Sequence, residues 1–214
     1  MRRTLYAVAM SAALVAGAHA WTVTIINSSG QLNPGAVTTS VPVVVINNPL
    51  PQITFLTAAG VPNPILVGNG TSFTNGTFNA TYSIAANPGS TNQLTGFNFL
   101  VSGFVQGEAQ IEWEKRVVRT ADNAVLYEGS GVISGAGFGG QDGPFILNIF
   151  VPLSQPASDV TVFERFNLDV LGAPGTDTAS LLLVEQDWVP EPASLIALGA
   201  GLAGLVGLRR RRVR

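Results

Sequence analysis

Between Trp21 and Trp188 no stretch keeps an apolar period of helical spacing for three turns, so packed helices cannot be the basis of the fold. Short β-branched and aromatic runs recur instead, broken by Gly, Pro, Asn and Ser clusters about every eight to twelve residues. Strands are predicted at Trp21 to Ile26, Val41 to Ile46, Ile53 to Leu56, Thr77 to Ile84, Phe97 to Phe104, Gln110 to Arg119, Ala124 to Ile133, Phe145 to Val151, Val160 to Leu171 and Ser180 to Val184. That pattern predicts an all-β body at 21–188, an antiparallel β-sandwich or jelly-roll-like arrangement.

The clearest local unit is Glu108 to Arg119, a turn at Thr120-Ala121-Asp122-Asn123, and Ala124 to Gly129. Alternation there puts Ile111, Trp113 and the stem of Lys115 on one face, and Glu112, Glu114 and Arg116 on the other. An antiparallel sheet permits that division, with one face buried and the other wet.

Charge is unevenly placed. No charged side chain occurs from Thr4 to Gly107, and the body's cations are confined to Lys115, Arg116, Arg119 and Arg165. Against them stand all the carboxylates except Glu191, a balance of about −8. A body with so little positive charge offers no patch for a phosphate backbone, so no nucleic-acid partner is expected. There is no cysteine, which excludes disulfides, thiol catalysis and Cys-ligated zinc. The single histidine, His19, lies in the N-terminal segment. The body therefore lacks the usual neutral-pH acid–base group.

Both ends read as addresses. Arg2 and Arg3, the apolar run Leu5 to Ala18 and the triplet Ala18-His19-Ala20 make a signal peptide at 1–20. Ala18 and Ala20 are the small residues that a signal peptidase recognises, and Trp21 becomes the new N-terminus. At the other end, Pro190-Glu191-Pro192 precedes a Gly/Ala/Leu-rich run at 193–208 and the basic cluster Arg209, Arg210, Arg211 and Arg212. Sixteen helical residues span about 24 Å against a hydrocarbon core of about 30 Å, so a single short transmembrane helix is expected, eased by snorkelling arginines. The arginines orient it with the body on the far side of the membrane.

This tail resembles the PEP-CTERM sorting signal of Gram-negative bacteria: a Pro-Glu-Pro motif, a transmembrane helix and an Arg-rich end within 189–214. The resemblance implies export across the inner membrane, a transient membrane anchor, and cleavage near the motif by an exosortase. It also implies release to the cell surface or medium in association with exopolysaccharide or biofilm. A non-enzymatic surface or matrix protein without cofactors follows as the expectation. The alternative is a carbohydrate-binding module with a defined sugar site on the charge-free first half.

The remaining candidates favour structural roles. Glu112 and Glu114 have the residue type for glycoside hydrolysis. Their i, i+2 spacing places them on one strand face, with Lys115, Arg116 and Arg119 near enough to neutralise them. Asp142 with Asp159 or Asp177 offers oxygen ligands for calcium without EF-hand spacing, and no metal is assigned. Gly135 to Gly143 reads as a flexible inter-strand loop, and the sequons at Asn27, Asn69, Asn75 and Asn79 read as turn chemistry. Trp21, Trp113, Trp188 and the tyrosines are expected in the core.

Overall fold

A computed structural model of the chain describes residues 21–47, 50–171 and 175–191. The predicted signal peptide, the tail helix, Pro192 and the terminal arginines lie outside the described residues. Among the described residues no helix is long and apolar enough to cross a membrane. The strands are β1 (Trp21–Asn33), β2 (Val37–Ser40), β3 (Val43–Ile46), β4 (Gln52–Phe55), β5 (Leu66–Gly68), β6 (Asn75–Ala86), β7 (Leu94–Gln106), β8 (Ala109–Arg119), β9 (Val125–Ser134), β10 (Gly143–Ala157), β11 (Asp159–Val170) and β12 (Thr178–Pro190). They form two antiparallel sheets packed as a sandwich. The first runs β2-β1-β6-β11-β8-β9; the second runs β10-β7-β12-β4-β3, with β5 also on β12.

Period-two patterning explains the layering. In β6, Phe78, Ala80, Tyr82 and Ile84 are buried while Thr77, Asn79 and Thr81 turn outward. β11 supplies Val160, Val162, Phe166 and Leu168 to the same interior, and β7 supplies Phe97, Phe99 and Val101 from the opposite sheet. Aromatic rings pack through the interior: across the sheets Phe99 and Trp113 have centroids 5.4 Å apart and Phe55 and Phe78 5.6 Å, while Phe97 and Trp188, neighbours within the second sheet, stand at 4.8 Å. Each such ring, fully buried, contributes about 1.5–3 kcal/mol by removal from water.

The charge-free strands β1 and β6 pair within the same sheet as charge-bearing β11, β8 and β9, so the compositional step at Glu108 divides no layer. The β8–β9 hairpin forms as expected, with Asn123 at a φ of 57° in its turn and Asp122 accepting the Ala124 N–H at 3.1 Å. The short strands β2 and β5 are additions to the expected set. β12 also runs on through Pro190, beyond the predicted end at Val184. Among the sequons, Asn69 does occupy a turn, at a φ of 50°. Asn27 instead stands in β1, and Asn75 and Asn79 in β6, whose long pairings to β1 and β11 override local turn preference, even at Asn75-Gly76.

Candidate functional site

The outer face of the first sheet is concave across β6, β11, β8 and β9 and forms a trough of about 740 Å³. Strand register builds it in two rows. Asn79, Arg165, Glu114 and Ser130 stand side by side in one, and Thr81, Phe163, Arg116 and Glu128 in the next. Phe163 is the apolar member of these rows and is 45% exposed, enough to offer an open ring face. A second depression of about 410 Å³ continues the same face past Thr77, Asn167 and Glu112 to Asn75, Asp169 and Gln110. Arg165 donates from Nε to Asn167 Oδ1 at 3.0 Å, which bridges the two depressions.

Beneath the trough floor, alternation turns Lys115 and Glu164 inward, and both side chains are cut off from solvent. The Lys115 ammonium pairs with Glu164 Oε1 and lies over the rings of Phe99 and Phe97, 4.3 and 4.7 Å from their centroids. Gln186 of β12 donates from Nε2 to Glu164 Oε2 at 3.1 Å, and the Tyr82 hydroxyl lies 3.2 Å from Gln186 Oε1. The network thus ties the two sheets together. Burial pushes Lys115 below its ordinary value, opposed by the Glu164 charge. Burial and then Glu164 push the Tyr82 phenol well above its own. The Trp188 indole N–H turns toward Tyr82 without reaching hydrogen-bond geometry.

Two sequence expectations change here. Lys115 does not neutralise Glu112 and Glu114, because the whole side chain, not its stem alone, lies in the core. Arg119 pairs with Asp122 at 2.9 Å instead. Glu112 and Glu114 do share the exposed face, as their spacing requires.

Asp142 has one of its two alternative calcium partners, Asp177, at the same turn and the other, Asp159, far from it. Its Oδ1 accepts the N–H groups of Gly107 and Ala136, each at 2.8 Å, and these bonds hold its carboxyl below the ordinary range. Asp177 also abuts Gly107, whereas Asp159 starts β11 beside the Arg119 end of β8, the length of the sheet away. Among the described residues no group of three or more His, Cys, Asp or Glu is placed to hold a metal. Asp142 also gives the glycine-rich segment order, with a 3-10 turn at Ala136–Phe138.

Sequence reasoning missed Glu185 and Asp187, which share the outer face of the second sheet opposite Thr54 and Gln52. Thr54 donates to Glu185 at 2.9 Å; partial burial, and then the Glu185 charge, raise the Asp187 carboxyl. The i, i+2 carboxylates were the available signal, the same one that Glu112 and Glu114 carry.

The sorting residues meet the body at the end of β12. Val189 pairs with Gly96 and Pro190 with Leu94. The Thr95 hydroxyl donates to the Val189 carbonyl at 3.1 Å, and the Glu191 N–H to the Gln93 carbonyl at 2.7 Å. Thus the first residue of the motif is the last residue of a central strand.

No curated protein matches the sequence. Among solved structures, the enzymatically active domain of Bacteriophage CBA120 tailspike protein 4 aligns at 12% identity and a TM-score of 0.33, covering 77% of this chain and 19% of that one. This chain therefore spans under a fifth of the tailspike chain. The CBM36-1 domain of a multidomain xylanase, from the hindgut metagenome of Trinervitermes trinervoides, aligns at 13% identity and a TM-score of 0.28, covering 78% of this chain and 95% of that one. The xylan-binding module CBM15 aligns at 13% identity and a TM-score of 0.30, with the same coverage. Likenesses this weak bear on neither ligand nor activity. The tail is different: residues 189–212 match a family model, and the C-terminal segment of this chain is a PEP-CTERM protein-sorting motif.

Proposed function

We propose that this chain is an exported, non-enzymatic surface or extracellular-matrix protein of a Gram-negative bacterium. An exosortase cuts it from its membrane tail, and the body then associates with extracellular polysaccharide. The observation that carries this reading is the sorting motif at 189–212, joined to a β-sandwich without intervening linker. The body's chemistry supports the non-enzymatic part. Its most strongly coupled charges, Lys115 and Glu164, are sealed from solvent, and Glu112 and Glu114 stand beside each other on one strand rather than facing across a cleft.

A second reading, a carbohydrate-binding module with a defined site, is favoured by the trough. Phe163 offers a ring face for the apolar side of a sugar, while Asn79, Arg165, Glu114 and Arg116 surround it with groups that bond hydroxyls. That site would draw on both halves of the chain rather than on the charge-free half.

Two measurements test these readings. Intact mass of the extracellular protein, from cells with and without exosortase, should show loss of the segment after the motif only when the enzyme is present. An extracellular form that still carries Leu195 to Arg214 in exosortase-positive cells would sink the sorting reading. Pull-down of the purified chain on exopolysaccharide, wild type against Phe163→Ala, separates the two body roles. Saturable binding lost in the variant establishes a defined site, and equal binding by both rejects it.

A further inference from the structure

The second sheet ends at β10, which pairs on one side with β7 and has no strand on its other side among the described residues. This edge is unusual. Natural edges are blunted by charge, brevity, bulges or proline; Gly143–Ala157 contains no charged residue, and no proline interrupts its run from Phe145 to Val151. The other edge strands differ: β2 and β3 have four residues each, and β9 carries Glu128.

Backbone polarity along β10 follows from its neighbours. Trp188 donates its N–H to Pro51, on the β4 side of β12, at 2.9 Å. Groups alternate sides along a strand, so Asp187 faces β7 and its partner Asn98 faces back. Phe99 then faces β10 and its partner Ile149. That leaves Ile146, Asn148 and Phe150 with N–H and C=O at the open edge. Pro144 and Pro152 share their parity, so the absent N–H groups of both prolines fall at the edge, where the β7 ladder loses nothing.

The segment is also symmetric in sequence about Asn148. Leu147 mirrors Ile149, Ile146 mirrors Phe150, Phe145 mirrors Val151, and Pro144 mirrors Pro152. We propose that β10 is a self-association edge: two copies of this chain pair antiparallel through it, with the two-fold axis at Asn148, joining their second sheets into one. In that register the outward N–H and C=O groups of Ile146, Asn148 and Phe150 meet their counterparts in about six hydrogen bonds. The prolines face each other at the ends of the ladder. A shift by two residues sets a proline opposite Phe150 or Ile146 and leaves a carbonyl inside the ladder without a donor. On the outer face, Ile146 (75% exposed) meets the partner copy's Phe150 (57% exposed), covering the most exposed apolar side chains of this strand. The occupant is a second copy because the edge complements itself, and its neutrality lets two otherwise acidic bodies approach.

The full chain, purified in mild detergent, tests this through single cysteines, since it has none of its own. Directly opposed residues of a hydrogen-bonded pair have Cα atoms about 5.5 Å apart, within disulfide range. Asn148→Cys should therefore form a disulfide-linked dimer at least tenfold faster than Ile146→Cys or Phe150→Cys alone, whose own counterparts lie roughly 13 Å along the strand. Mixing the latter two should give the mixed dimer. In light scattering, Asn148→Lys should weaken dimerisation at least tenfold, while at dilutions where both chains are monomeric its melting temperature should match the wild type, because its side chain is exposed in the monomer. Equal cross-linking at all three positions, or a monomer at about 100 μM that cross-links at none, overturns the proposal.

Discussion

Lys115 and Glu164 are directly opposed on β8 and β11, and their side chains form an ion pair that no solvent reaches. Breaking one half of such a pair strands a charge in the core, whereas neutralising both halves does not. Lys115→Met should therefore cost about 3–5 kcal/mol in urea unfolding at neutral pH. Adding Glu164→Gln keeps the contacts to Gln186 and Tyr82 while removing the charge, and should recover more than half of that loss. Strictly additive losses in the double variant would show that the pair is not the coupled unit described here.

Tyr82 gives the body an alkaline limit. Burial and the adjacent Glu164 carboxylate hold its phenol well above the ordinary 10.0, so the folded chain keeps a proton that the unfolded chain gives up. Its contribution is complete below pH 10 and is lost as pH climbs toward the folded value. Urea midpoints between pH 7 and pH 11 should fall above pH 10 in the wild type. Tyr82→Phe should start lower, through loss of the hydroxyl contacts, and decline less over that interval. Parallel curves would refute the assignment.

Gly107 turns the chain from β7 into β8 at a φ of 68°, with Asp177 Oδ1 2.0 Å from where a Cβ would stand. Gly107→Ala combines a left-handed backbone with that collision and should lower stability by about 1–3 kcal/mol, read by thermal unfolding. Gly139, at a φ of 79° but with open space around it, is the control. Gly139→Ala should cost less, because only backbone strain applies there.

Much of this arrangement was legible where periodicity is strong. Phe78, Ala80, Tyr82 and Ile84 declare the buried face of β6 without reference to any other strand. Lys115 was placed on the correct face by the same rule, but its burial was hidden. The compensating carboxylate is Glu164, and only the β8–β11 register brings the two together. The trough is similarly non-local, since Phe163 is an ordinary strand phenylalanine until alternation turns it away from Phe166. β5 is too short to leave a periodic signal, and β10 extends through prolines that read as breakers but are harmless at an edge. The end of β12 was misplaced for a different reason: past Val184 the polar run Glu185-Gln186-Asp187 carries no apolar alternation, and only pairing to β7 extends the strand through Pro190.

That last position bears on how the tail is processed. Val189 and Pro190 are held by pairing to Gly96 and Leu94, and the Glu191 N–H by Gln93. An enzyme cutting before Glu191 must first peel the end of a central strand from β7, giving up hydrogen bonds worth about 1 kcal/mol each. Cutting after Glu191 requires no such opening. The released protein should therefore retain Pro190 and Glu191, as intact mass will show. If strand pairing limits access, a four-residue Gly/Ser insertion between Val189 and Pro190 should lift the motif off the sheet and raise the rate of release severalfold in pulse-chase labelling. A product ending at or before Val189, released at the same rate with and without the insertion, would mean that the enzyme opens the strand freely.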